Sequence, residues 1–132
     1  MSWINSIADQ ISSNGLGTQG SSLFIGQLPD VNVLTTLLTE YQGDVIETLS
    51  SASIALNRPS LQVMVKGVAD DYQNPRTRIV AIQNLLQQIT NQTLGGIYFV
   101  RVRPTSSILS LGQDDRLRWS FSCNFEVIVG SA

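Results

Sequence analysis

Histidine is absent from this chain. That removes Ser-His and Cys-His nucleophile pairs, the commonest general base and the commonest metal ligand in one stroke. There is a single cysteine, Cys123, so an intramolecular disulfide is excluded and nothing points to an oxidising compartment. Charge is scarce too: Asp, Glu, Lys and Arg make up 14% of the residues, where about 25% is usual. A thin charge layer fits a chain that covers part of its surface with partners. No apolar run approaches the roughly 20 residues of a membrane span. The start, Met1 to Ser6, lacks the basic and apolar regions of a signal peptide, so synthesis in the cytoplasm and no membrane contact are expected. A net charge of -2 argues against nucleic acid as the main ligand, because phosphate binding shows as a concentrated positive surplus.

What remains is patterning. At 132 residues the chain has the size of one domain, 1–132. Trp3, Ile4, Ile7, Ala8 and Ile11 share one face of a short helix over residues 2–12, with Ser2 as N-cap and Gly15 as stop. Its polar face carries no Lys or Arg, so it reads as a helix docked on its own domain or on a neighbouring subunit rather than on a membrane surface. Residues 14–22 form a Gly/Ser/Thr/Gln loop. Brief strands are expected over 23–28 and 31–38, with turn chemistry at Tyr41-Gln42-Gly43-Asp44. Residues 45–57 read as an irregular strand or extended loop. Leu61, Val63 and Val65 alternate with polar neighbours in a strand opened by Pro59 and closed by Gly67.

The main helix is expected over 70–90, capped at Asn74 with Pro75 at its first position and striped by Ile79, Ile82, Leu86 and Ile89. Leu94-Gly95-Gly96 marks a turn back. A strand over 97–103 places Tyr98, Val100 and Val102 on one side and Ile97, Phe99, Arg101 and Arg103 on the other, and residues 104–112 read as a loop. The strongest signal is the last. From Leu117 to Val129 every odd position is apolar, through Trp119, Phe121, Cys123, Phe125 and Val127. The even positions are polar except Ile128. At about 3.3 Å per residue such a strand spans roughly 40 Å, and a slip by one residue would expose the whole apolar row. The fold class is α+β: a mainly antiparallel sheet with a long helix and a short N-terminal helix.

Catalytic chemistry finds little support. Cys123 sits in the apolar row as a small buried hydrophobe rather than a nucleophile. The pairs Asp70-Asp71 and Asp114-Asp115 have the composition for acid/base or metal chemistry. They fit better as a helix-start charge and a turn before a strand. Gly95-Gly96, Gly15 and Gly17 lack the lysine and the strand–helix setting of a phosphate cradle. The expectation is no enzyme, no cofactor and no metal. Of the eight basic residues, Arg101/Arg103 and Arg116/Arg118 lie two apart in or beside strands, so each pair projects from one face. If the strands are neighbours, the four groups form one patch. Three uses compete: DNA contact, surface ion pairs, and pairing with acids of an adjacent subunit. The last is favoured because Arg is enriched at protein interfaces. Arg101, Arg103, Arg116, Arg118 and Glu126 are the subunit-interface candidates.

The order of parts carries a resemblance. A short helix precedes Phe24-Ile25-Gly26-Gln27-Leu28-Pro29-Asp30. Then come the run Pro59 to Gly67, a helix ending near Leu85-Leu86, and Leu111-Gly112-Gln113-Asp114-Asp115-Arg116 leading into Trp119 to Val127. This resembles the small tail-terminator and neck proteins of long-tailed bacteriophages, sometimes called minor capsid proteins. The resemblance implies a sheet flanked by two helices and assembled as a six-fold homo-oligomeric ring in the virion. Such a ring caps the tail tube protein, ends tail assembly, and meets the head-side connector or stopper protein. Genomic DNA would pass through its lumen without specific binding, past acids for which Asp70, Asp71, Asp114 and Asp115 are candidates. The alternatives are a head-completion or stopper protein one layer up, a small nucleic-acid-binding module, and an adaptor of a tail-like secretion device.

Overall fold

The structure is a computed structural model, and it describes residues 2–46 and 56–130. Two helices, α1 (Trp3–Ser13) and α2 (Gln73–Leu86), accompany seven strands: β1 (Leu23–Ile25), β2 (Thr35–Ile46), β3 (Leu56–Ala69), β4 (Thr90–Leu94), β5 (Ile97–Pro104), β6 (Leu109–Gln113) and β7 (Arg118–Gly130). They form one sheet in the order β1-β2-β3-β7-β5-β4, with β6 also on β7. Every pairing is antiparallel except β1 with β2. The fold is therefore α+β with a mixed, mainly antiparallel sheet. Its helices are short, and α2 has 14 residues where the sequence suggested about 20.

Helix α1 follows its pattern. Ser2 Oγ accepts from Asn5 N–H, and Ile4, Ile7, Ala8 and Ile11 are buried. At its end Gly15 adopts φ 75°, Gly15 N–H donates to Ser12 O and Leu16 N–H reaches back to Ile11 O. That is the Schellman arrangement, which satisfies two orphan carbonyls and needs a residue free of a Cβ penalty at the turn.

Helix α2 starts differently from expectation. Asn74 and Pro75 lie inside its first turn, and the carboxylate of Asp71 accepts from Asn74 N–H (3.2 Å) and Asn74 Nδ2 (2.8 Å). A charged acceptor is the better partner for the positive end of the helix, and proline lacks only a donor that the first turn leaves unused. The helix stops at Leu86 because Ile89 O accepts from Val102 N–H, which draws the next residues into the sheet.

Gly67 does not end its strand. Strand β3 runs on to Ala69, and a Cβ at Gly67 would lie 2.8 Å from Pro75 Cγ and 3.1 Å from Asp71 O. Glycine is there so that the first turn of α2 can lie against the strand. Pro59 likewise falls inside β3, where the β2 ladder shifts between Tyr41 and Asp44. The turn-forming run 41–44 is thus absorbed as a bulge, which tolerates a proline opposite. Of the segment 45–57, residues 45–46 and 56–57 are the ends of β2 and β3, and the remainder lies outside the described residues.

Gly95 and Gly96, at φ 60° and 80°, form the two-residue turn joining β4 to β5, as a tight hairpin of that twist requires. In β5 a bulge between Phe99 and Arg101 breaks the simple alternation. Phe99 and Val102 therefore both enter the core, while Arg101 and Arg103 emerge on the other face. The run 104–112 is not one loop. Only 105–108 interrupt a long hairpin in which β5 and then β6 pair along the same edge of β7.

Strand β7 keeps its alternation from Phe121 to Val129, with Phe121, Cys123, Phe125 and Val127 buried. Leu117 is the exception. It precedes the strand at φ 62° and is half exposed, because the turn at 114–117 claims it: its N–H donates to Asp114 O and its carbonyl accepts from Asp70 N–H. The β7 row, Leu61, Val63 and Val65 of β3, and the apolar stripes of both helices make one cluster, so the helices share one face of the sheet. On the opposite face Thr35, Arg118, Ser120, Ser122 and Ile128 are buried and Gln62, Met64, Lys66, Asn124 and Glu126 half buried, and among the described residues no helix or strand lies over it.

Candidate functional site

The uncovered face and one end of the sheet carry two charged clusters. The first sits where the β6–β7 turn meets the loop before β2. Arg118 is 7% exposed and directs its Nη1 to Asp30 Oδ1 (3.0 Å) and Val31 O (3.1 Å). Its Nε and Nη2 reach Asp114 Oδ2, both at 2.8 Å. Asp114 Oδ1 accepts from the backbone N–H of Arg116 (2.9 Å) and Arg118 (3.0 Å). Lys66 and Arg116 close the cluster, on Asp114 (3.4 Å) and Asp30 (3.0 Å). The Arg118 backbone N–H, the Arg118 guanidinium and the Arg116 N–H together hold the Asp114 carboxyl well below the usual carboxylate range. The Asp114 and Asp30 hydrogen bonds raise the Arg118 guanidinium in turn. This is a latch: one buried arginine ties a loop 88 residues away to the turn that starts its own strand.

The second cluster lies further along the same strand. Glu126 is ringed by Arg103 (Nε to Oε1, 3.0 Å), Arg58 (3.5 Å) and Arg101 (3.9 Å). The Arg103 hydrogen bond, with the field of the other two, pulls the Glu126 carboxyl down. Here the arginines are open to water: the side chains of Arg101 and Arg103 are 50% and 51% exposed. Arg58 Nε is buried without a hydrogen-bond partner.

The expected four-arginine patch is thus divided. Arg103 pairs in register with Glu126, whereas Arg118 stands eight residues away along β7, about 26 Å. Arg116 and Arg118 join the latch, and Arg118 has little surface left to offer a neighbour. The four acids do gather at one end: Asp71 caps α2, Asp114 belongs to the latch, and Asp70 lies beside Leu117. Asp70 and Asp115 make no ion pair among the described residues. Sequence reasoning missed Asp30, Lys66 and Arg58, each placed by pairings between distant segments with no local signature.

Cys123 lies under α2, its thiol within 3.4 Å of Gln83 Nε2 and 3.6 Å of Ser106 O, and burial pushes its pKa up. A thiol so placed is a packing group rather than a nucleophile. Among the described residues no group of three or more Cys, Asp or Glu is arranged to hold a metal, and no helix is long and apolar enough to cross a membrane.

Among the described residues one face of the sheet carries no helix, the outer edge of β6 is unpaired with Leu109 and Leu111 exposed, and exposed charge gathers around Glu126. The chain belongs to the bacteriophage tail terminator family, whose model matches residues 10–130. It is a structural protein of the phage tail, and its place is the virion tail. Its fold is shared by a chain of the virion of a native gene transfer agent particle, with a TM-score of 0.60 at 12% identity, over 95% of this chain and 84% of that one. Comparison with the curated proteins gives no match.

Proposed function

We propose that this chain is the subunit of a closed ring, six copies in number, that sits on the last ring of the tail tube protein. There it ends tube growth and gives the head-side connector or stopper protein its docking surface. The observation that carries this reading is the family match, which runs from within α1 to the end of β7 and so takes in every strand. The layout is compatible with it. Identical subunits close into a ring through two different surfaces, and this chain has different surfaces at the two ends of β7. The split of the arginines into a satisfied latch and a cluster centred on a carboxylate favours protein contact over DNA contact, so DNA passes through without specific binding. The exposed members of the candidate set, Arg101, Arg103 and Arg116 with Glu126, are the side chains through which subunits meet.

Removing the protein from an infection tests this. Negative-stain images of lysates should show tubes of irregular, excessive length without heads, and supplying the chain in trans should restore uniform tails joined to heads. Uniform, head-bearing tails in its absence would overturn the reading.

A further inference from the structure

We infer that the Arg58–Arg101–Arg103 cluster is the receptor for carboxylates of a second copy of this chain, Asp70 and Asp115 at the far end of that copy's sheet. The inference rests on the ring reading and names the contact that closes it.

The charge balance argues for it first. Among the described side chains, three guanidinium groups face one carboxylate around Glu126, a local excess of positive charge. At the other end of the sheet Asp30 and Asp114 pair with Lys66, Arg116 and Arg118, while Asp70 and Asp115 make no ion pair among the described residues. Asp71 is engaged by α2 and Asp30 and Asp114 by the latch, so the acids left for a partner are Asp70 and Asp115, both exposed. The cationic cluster and these acids sit on separate surfaces, as a head-to-tail contact between identical subunits requires.

The geometry argues for it next. Glu126 gathers the three arginines, so part of the ordering cost of binding is met before a partner arrives. Arg103 commits its Nε to Glu126 at 3.0 Å, and the planar guanidinium retains donors for another carboxylate. The cluster lies on the sheet face that no described element covers, and Asp115 occupies a turn, where it can reach such a face. A nucleic acid fits less well: the central Glu126 would repel phosphate, and the chain carries a net charge of -2. This assigns Asp70 and Asp115 to the subunit contact rather than to the lumen.

A cross-link within assembled tails tests the contact. Phage lacking the protein is complemented with the chain carrying Arg103→Cys and Asp115→Cys, and purified tails are mildly oxidised and run on a non-reducing gel. A ladder rising to the closed ring, absent from each single variant, is expected; monomer alone overturns the contact. Native mass spectrometry of wild-type protein released from the same tails separates the two readings. A multimer without a ladder removes this contact and leaves the ring, whereas a monomer removes both. Charge reversal gives a second arm. Arg101→Glu with Arg103→Glu should lower plating about a hundredfold, and adding Asp70→Lys and Asp115→Lys should recover most of it. No recovery overturns the contact. So does a reversed-charge variant whose tails are complete but fail to deliver DNA, which would assign the cluster to nucleic acid.

Discussion

The two ends of β7 use the same residue type to opposite ends. At its start, Arg118 is buried, bonded to two carboxylates and a carbonyl, and it holds a loop and a turn together. Further along, Arg101 and Arg103 stand half in water around Glu126, which among the described side chains is the one carboxylate they pair with. The difference lies in what covers them. The loop before β2 folds over Arg118, whereas no described element covers the Glu126 face. Where an arginine is enclosed it serves the fold, and where it is left open it is available for the subunit contact proposed above. The two uses predict different consequences of mutation, from large to small.

Arg118→Ala should cost most, about 2–3 kcal/mol, since it removes the buried guanidinium that Asp30 and Asp114 share and leaves them only Arg116 and Lys66. Water reaching both carboxylates keeps the loss below that of a fully buried pair. Thermal unfolding should move down by roughly 10 °C; a shift under about 2 °C would show that Arg118 is no latch. At the same end, Gly67→Ala pushes a methyl group into Pro75 and the Asp71 carbonyl. A loss of about 1–3 kcal/mol in chemical denaturation is expected, with the midpoint and not the slope responding.

Acid separates the clusters next. Asp114 and Glu126 both have folded-state pKa values held below their ordinary ones. The stability each contributes is present above the unfolded values of about 4 and is lost as pH falls through the lower folded values. Melting temperature should therefore decline from about pH 5 toward pH 2, and Asp114→Asn, less stable at neutral pH, should decline less steeply. Parallel curves for variant and wild type would remove Asp114 from the account. Arg103→Ala should cost under about 1 kcal/mol, as an exposed pair does, while assembly suffers. Smallest of all, alkylating reagents at neutral pH should leave Cys123 unmodified in the folded protein and label it on denaturation.

Much of this contrast was out of reach of the sequence, for physical reasons. The alternation over β7, the stripe of α1 and the Gly95-Gly96 turn are local patterns, and local patterns survive into the fold. The roles of Gly67 and Pro59 depend on what lies opposite, the first turn of α2 and the β2 bulge, so a strand end was the natural reading of both. The extra residue in β5 reverses which side chains face the core, and no composition rule announces it. Arg101/Arg103 and Arg116/Arg118 look alike on paper, since a spacing of two fixes a common face but not what covers it. The latch joins Asp30 to Arg118 across most of the chain, and only the assembled sheet brings them together.

The most direct test of the division between fold and partner is the tail-length distribution produced by Arg101→Ala with Arg103→Ala, supplied in trans to an infection lacking the protein. The account predicts a folded chain and overlong tubes without heads. Tails of uniform length joined to heads would contradict it.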